Sequence, residues 1–256
     1  MTQEYIFVPM QRACAVISEN APVLTSAAYD ACLGRDYRPP LAAGDLAFLH
    51  RSDPVPHVAS RRDFTLGGNA YTLFAVVLYE NEEDGREAEL DLNHVDAALG
   101  HLLSLAMDGG KEVACPIMDL YDSVGNLLQE KVSKDIRVSQ APCSMASVCL
   151  DRSALIMALG LLLPDLLAAG DVELCLFQDS FSSFSLCLRA KGVRVLPFAE
   201  ALSRALSKGG GFSLDITENG IAFGLPRCET AGHMLYAGTY ARDAADCLHA
   251  ALLLRS

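Results

Sequence analysis

The stretch Leu150 to Gly170, LDRSALIMALGLLLPDLLAAG, is the longest apolar run in the chain and reads as a buried helix. Two β-like runs follow it, DVELCLFQD and SSFSLCLRA, which pair naturally as a hairpin. A helix from Pro197 to Lys208, a triple glycine (Gly209, Gly210, Gly211) and a closing hairpin, FSLDITENGIAFGLP, complete a body that ends near Arg227. Within the long run, Pro164 and Asp165 interrupt the apolar residues from Ala154 to Ala169. Proline lacks an N–H and its ring strikes the carbonyl one turn back, so Pro164 is expected to bend or end the helix. The run is also expected to fall short of a membrane span, which needs ~20 apolar residues to cross ~30 Å of hydrocarbon.

Composition narrows the classes of function. With 51% hydrophobic and 20% charged residues, the 256-residue chain can fill real cores, enough for two or three domains. A net charge of −12 argues against nucleic acid, because phosphate contacts need clustered Lys and Arg. The acidic run NEEDGREAELD, Asn81 to Asp91, reads as the solvated start of a helix. Nine cysteines are scattered without a C-x-x-C pair, several inside apolar strands, which fits buried thiols in a reducing compartment rather than a zinc site or a catalytic cysteine. The opening MTQEYIFVPMQ has no basic region followed by an apolar core and is not read as a signal peptide. A cytoplasmic protein, off the membrane, is expected.

Upstream, residues 12–18 (RACAVIS) make a strand, ENAP a turn, and Thr25 or Ser26 caps a short helix, SAAYDACLG, ended by Gly34. Ala43 to His50 is a short helix or strand. His57–Leu66 and Tyr71–Glu80 are strands split by the turn signal GGN, and the second is apolar on both faces, as a central strand is. Glu82 to Met107 reads as one helix with Leu92, Val95, Leu99, Leu102, Leu103 and Ala106 on one side, and His94 and His101 nearly opposite. A second helix is expected from Lys111 to Lys131, with Pro116 in its first turns and Val113, Ile117, Leu120, Val124, Leu127 and Leu128 as its apolar stripe. Two such helices cannot bury both stripes alone, so a homodimer forming a four-helix bundle is expected. In the tail, MLYAGTY reads as an edge strand and ARDAADCLHAALLLRS as an amphipathic helix.

Two resemblances rest on these residues. ACAVISENAPVLTSAAYDACLGRD is similar to the opening of a PAS domain: strand, turn, second short strand, then a helix ending in Leu-Gly. Ser147 to Arg227 resembles the ATP-binding body of sensor histidine kinases. There a strand ends in Asp and a helix follows that reads roughly Arg-x-x-Leu-x-x-Val-Leu-x-Asn-Leu-x-x-Asn-Ala; here VCLDRSALIMALGLLLPDLLAAGDVEL keeps the strand, the Asp, the Arg and the apolar spacing. Together they imply an α+β chain: a PAS-like sensory domain over 1–80, a dimerisation helical hairpin over 81–134, and an ATPase-like α/β sandwich with a C-terminal helix over 135–256.

The same resemblance shows what is missing. The family's Mg²⁺-holding Asn positions fall on Gly160 and Pro164, and neither carries the side-chain oxygen that Mg²⁺ requires. Asp165, adjacent, has a carboxylate but an ordinary helical role. The adenine-reading Asp of the Asp-x-Gly-x-Gly motif falls on Ala190, in RAKGVRV, and Val193–Pro197 is too short for the usual lid. The triple glycine reads as a helix stop; with no Lys-Ser/Thr after it, it is no P-loop. The phosphoacceptor His is normally followed by an acid, but His94 precedes Val-Asp-Ala-Ala and His101 precedes Leu-Leu-Ser-Leu. His94 is the better fit, since Asp91 and Asp96 lie near it. No G-x-S-x-G or H-E-x-x-H occurs, Glu82-Glu83 sit in the acidic run, and His233 and His249 have no suitable neighbours. No cofactor and no metal are expected. The first reading is a signalling protein that has lost its nucleotide ligands and works as a dimeric interaction module. The others are a histidine phosphotransferase using His94 or His101 with a response-regulator receiver domain as partner, a divergent active kinase, and an unrelated α+β enzyme.

Overall fold

The computed structural model of the chain describes residues 11–18, 21–49, 56–79, 84–133, 136–141, 144–228 and 237–255. They divide into two compact units, Met1–Gly100 with Leu253–Ser256, and His101–Leu252. The boundaries read from the sequence lie near residues 80 and 134; compactness draws its main boundary inside a single helix, α2 (Gly85–Asp108).

The first unit is built on an antiparallel sheet of β1 (Gln11–Ser18), β2 (Ala21–Thr25), β3 (Leu46–Leu49), β4 (His57–Leu66) and β5 (Asn69–Leu78), in the order β2-β1-β5-β4-β3. The strand expected to be central, β5, lies between β1 and β4 and is buried from Leu73 to Leu78. The short helix α1 (Ala27–Cys32) is capped by Ser26, whose Oγ accepts from Tyr29 N at 3.3 Å and from Cys14 N at 3.1 Å. One sheet face carries Ala13, Ala15, Ala59, Val76 and Leu78, and the small alanines leave room for Tyr29 and Leu33 above them. Tyr29 Oη donates to the Tyr37 carbonyl at 2.7 Å, and Tyr37 Oη lies 3.2 Å from Nε2 of the buried His57. On the other face, Arg12 pairs with Asp91 of α2, and Arg62 pairs with Asp96.

The second unit follows the element order expected from Leu150 onward. Its sheet runs β6-β8-β12-β10-β9-β7, made of β6 (Val113–Pro116), β7 (Arg137–Val138), β8 (Ser147–Leu150), β9 (Glu173–Ser180), β10 (Ser183–Arg189) and β12 (Gly220–Cys228), with β11 (Ser213–Thr217) also on β12. The helices α3 (Ile117–Lys131), α4 (Arg152–Ala169) and α5 (Pro197–Gly209) complete it with most of α6 (Ala237–Leu253).

Four expectations are corrected. Lys111–Pro116 is not helical: Val113–Pro116 pairs with β8, and α3 begins at Ile117, directly after Pro116. Proline suits an edge strand and a helix entry, and β6 is both. The stripe of α3 is covered inside the unit: Ile117, Leu120, Tyr121, Val124 and Leu128 are buried, and Tyr121 Oη donates to the Ser139 and Leu174 carbonyls. On α2, Leu92, Val95, Leu99, Leu102 and Leu103 are buried as well. Next, Pro164 neither ends nor breaks α4, which continues to Ala169. Packing of a helix buried without interruption from Ala154 to Leu163 outweighs the ~3 kcal/mol that an interior proline costs. By length and composition, α4 is also apolar enough to cross a bilayer, contrary to the length argument, but it is a core helix, mostly buried inside the unit. Finally, of the expected edge strand MLYAGTY, residues 234–236 lie outside the described residues, and Ala237–Tyr240 form the first turn of α6. Glu82, Glu83 and His233 are also outside them.

Asp151 holds the entry of α4. One carboxylate oxygen accepts from Ala154 N at 2.9 Å and the other from Lys111 N at 2.8 Å, while its own N–H donates to the Gly210 carbonyl at 2.8 Å. Asp151→Ala leaves the buried Ala154 N–H and the part-buried Lys111 N–H without their acceptor and is expected to lower unfolding stability by about 1–2 kcal/mol in urea titration, with Asp151→Asn costing less.

Candidate functional site

The residues singled out for chemistry fall in two places, the exposed side of α2 and the surface of α4. On α2, His94 and His101 are both exposed. The acids near His94 are engaged elsewhere. Asp91 accepts from Arg12 Nε at 2.6 Å, and Asp96 takes a two-pronged bond from Arg62, 2.9 Å at Nε, plus Ser60 Oγ at 2.8 Å. A carboxylate held by a guanidinium fork is spoken for in both charge and geometry. The sequence argument that favoured His94 over His101 is thereby removed: each is an imidazole on an open helix face, neither with an acid shown to orient it.

On α4 the two positions of the missing Asn share one turn. A Cβ on Gly160 would lie 2.8 Å from Ala251 Cβ, 3.0 Å from Leu248 Cδ1 and 3.3 Å from the Leu248 carbonyl. Those residues belong to α6, which lies against α4 with Leu248 and Ala251 buried. Gly160 is thus a contact glycine that lets two helices approach closely. Its carbonyl is also the one that Pro164, four residues on, leaves without an intrahelical donor. Asp165 acts structurally, since its Oδ2 accepts from Leu196 N at 3.1 Å and Leu196 is the N-cap of α5, so the carboxylate fastens the start of that helix.

The adenine-side segment is equally committed. Ala190 is buried and its N–H donates to the Asn219 carbonyl; Gly192, at φ 76°, donates to Glu218. This ties the end of β10 to the β11–β12 turn, and a short connection leads from there into α5.

The triple glycine does more than stop a helix. Gly110 N donates to the Gly209 carbonyl at 2.9 Å. A Cβ on Gly209 would lie 2.8 Å from Gly109 Cα, and one on Gly210 would lie 2.6 Å from the Phe212 ring and 2.8 Å from Ala154. Gly211, at φ 75°, closes the turn and a Cβ there would meet Glu112. Two glycine pairs therefore pack backbone to backbone beside Asp151. The repeated glycines in the sequence carried the signal, but only the facing Gly109-Gly110 shows its purpose.

Five of the thiols are held away from the reactive thiolate form. Burial pushes the Cys14 thiol up to about 12 and Cys115 to about 11, and it raises Cys149, Cys175 and Cys187 too, the opposite of what a nucleophilic cysteine needs. Cys14 Sγ instead donates to the Leu253 carbonyl at 2.8 Å. Among the described residues, no three His, Cys, Asp or Glu are placed to hold a metal ion.

No family model matches the chain, and no curated protein sequence matches it. The solved structures to which it is similar include histidine kinases. A mycobacterial sensor histidine kinase, MprB, is 16% identical with a TM-score of 0.33, covering 44% of this chain and 96% of that one. The Acinetobacter baumannii histidine kinase AdeS is 12% identical with a TM-score of 0.40, over 59% and 88%. A blue-light activated histidine kinase of Erythrobacter litoralis is 10% identical with a TM-score of 0.32, over 85% and 95%. At these values no ligand or activity passes from those proteins to this chain.

Placing there the Asn that the resemblance expects tests the contact at Gly160. Gly160→Asn forces a branched polar side chain against Leu248 and Ala251 and is expected to cost about 2–3 kcal/mol in urea unfolding, with faster proteolytic cutting in α6; Gly160→Ala should cost less.

Proposed function

We propose that this chain is a signal-transduction protein of the sensor-histidine-kinase type whose ATPase-like body no longer handles nucleotide and works as a regulatory interaction module. The observation that carries the reading is the seat of α6 on α4. The turn that would present Mg²⁺ ligands in a kinase presents Gly160 to Ala251 and Leu248, with Pro164 at the second position. A helix packed to within contact of the Gly160 backbone leaves neither an oxygen ligand nor room for phosphates there. Ala190 in the adenine position and the short path into α5 agree with it.

The PAS-like reading of the first unit is part of the same proposal. Its support is the strand, turn, second short strand and Ser26-capped helix reaching Leu33-Gly34, laid on an antiparallel sheet. Arg12–Asp91 and Arg62–Asp96 then give that sheet a direct hold on α2, the helix that bears both histidines. A signal received at the sheet has in these two pairs a physical route to the helix.

The exposure of His94 and His101 favours one second reading, a histidine phosphotransferase that exchanges phosphate with a response-regulator receiver domain without ATP. The two readings share their first test. Mg·ATP at millimolar concentration should leave the thermal midpoint of the protein unchanged; a clear upward shift would mean a working nucleotide site and return the divergent-kinase reading. A second experiment separates them. On incubation with a phosphorylated receiver domain, the interaction-module reading expects no label on the chain, whereas transfer that is lost in His94→Gln or His101→Gln assigns the phosphotransferase.

A further inference from the structure

We infer that Cys175 and Cys187, which face each other across β9 and β10, form a redox-responsive dithiol that glutathione disulfide closes reversibly to a cross-strand disulfide. The inference stands apart from the proposed function, since it uses neither α4 nor the histidines.

Strand register places the pair. Cys175 lies directly opposite Cys187 in the antiparallel ladder, in a row that continues to Ala222 of β12 and Asp215 of β11. The other cysteines on described strands each face something else: Cys14 faces Ala75, Cys115 faces Val148, Cys149 faces Ala114 and Cys228 faces Ser147. Arg137 N donates to the Val172 carbonyl and Ser139 N to the Leu174 carbonyl, so even-numbered residues of β9 aim their backbone groups at β7 and odd-numbered residues aim theirs at β10. Cys175 and Cys187 are therefore a hydrogen-bonded pair, a class whose Cα atoms stand about 5.5 Å apart. Disulfides span roughly 4.4–6.8 Å between Cα atoms, so the backbone separation already suits one. Facing Cβ atoms in a sheet lie about 4.5–5.5 Å apart, against about 3.5–4.5 Å in a disulfide, so closure draws the two strands together slightly. A bond made under that tension is easily reduced, which suits a reversible site better than a permanent brace.

The surroundings set the order of events. Leu174, Leu176, Leu186 and Leu188 are buried on the core side, so the two cysteines project from the opposite face of the sheet. Their neighbours there include the small Ser185, Ala222 and Gly224. Arg189 and Phe177 stand on the rows either side, with Arg189 Cζ 4.6 Å from the Phe177 ring centroid, so this contact crosses above the pair. Cys175 is 4% exposed beneath it, while Cys187 is partly exposed. Burial raises both thiols and the nearby Arg189 guanidinium opposes it. Both thiols thus stay protonated at neutral pH and react slowly, and the pair answers sustained rather than brief oxidation. The same guanidinium is a partner for the carboxylates of glutathione. Cys187 is the thiol that an oxidant can reach. Its sulfur attacks one sulfur of glutathione disulfide, the S–S bond breaks, and one glutathione leaves as a thiol carrying the proton from Cys187. Cys175 then attacks the Cys187 sulfur of the mixed disulfide, and the second glutathione leaves with the proton from Cys175. In sum, two protein thiols lose two electrons and two protons, and one glutathione disulfide becomes two thiols. The second step is intramolecular, so the buried thiol needs no access of its own to the oxidant.

Incubation of the folded full chain with excess glutathione disulfide tests it, read by mass spectrometry of peptides alkylated before digestion. The peptide linking Cys175 to Cys187 is expected to form about tenfold or more faster than a link between any other two cysteines, and dithiothreitol should return both thiols. In Cys175→Ala the second step has no thiol, so one glutathione should remain on Cys187. In Cys187→Ala, Cys175 should gain glutathione about tenfold or more slowly than Cys187 does in Cys175→Ala. The wild-type linkage needs no variant to fold. Absence of the Cys175–Cys187 link after prolonged incubation overturns the inference, whether or not other thiols react. So does a link that forms equally fast in the urea-unfolded chain, where only the short sequence separation brings the two together, or a Cys175→Ala chain that holds no glutathione on Cys187.

Discussion

A helix that is apolar on every side has to be covered on every side, and much of the second unit answers that demand. Helix α4 is buried without a break from Ala154 to Leu163. Helix α5 lies along it, with Ser203 Oγ donating to the Ala158 carbonyl, and α6 closes on it at Gly160. Each element arrives with a specific fastening: Asp165 holds the N–H of Leu196 at the head of α5, and the missing Cβ of Gly160 admits Ala251. At Gly160 the cover is Leu248 and Ala251, and the contact is stabilised by the same burial that builds the rest of the core.

The polar groups follow a similar logic of commitment. Asp151, Asp165, Asp91 and Asp96 are the carboxylates that sequence reasoning notices, and each one has a structural partner. Asp151 satisfies the α4 terminus and the Lys111 amide together, beside a junction where Gly109, Gly110, Gly209 and Gly210 let two backbone segments touch. Asp91 and Asp96 bind Arg12 and Arg62 across the first unit's sheet and α2. These pairs are partly exposed, so their worth lies more in fixing the placement of α2 on the sheet than in raw stability. What α2 leaves to solvent is a face bearing His94 and His101.

Much of the fold was legible before the structure. The alternating and doubly apolar runs marked β4 and β5 within a residue or two, because a strand buried on both faces has few ways to be written. Ser26 and Gly34 marked α1, since a cap and a left-handed glycine have local causes. The misreadings have non-local causes. Val113–Pro116 carries helix-compatible spacing, yet β8 offers it a ladder, and the helix begins only after the proline. Pro164 breaks an isolated helix, yet α4 is never isolated. The first turn of α6 was read as a strand because its short β-prone segment is ambiguous when taken alone.

The candidate site divides in the same way. From the sequence alone came the resemblance that sets Gly160, Pro164 and Ala190 at positions where a kinase body carries oxygen-bearing side chains, and the chemical identity of a side chain needs no coordinates to be known. Only the tertiary structure decided what those positions do instead. It brought Leu248 and Ala251 of α6 onto Gly160, engaged Asp91 and Asp96 with distant arginines, and set Gly109-Gly110 against the triple glycine. Each of these contacts joins residues far apart along the chain, and no local propensity or spacing encodes which distant surface a small residue or a carboxylate will meet.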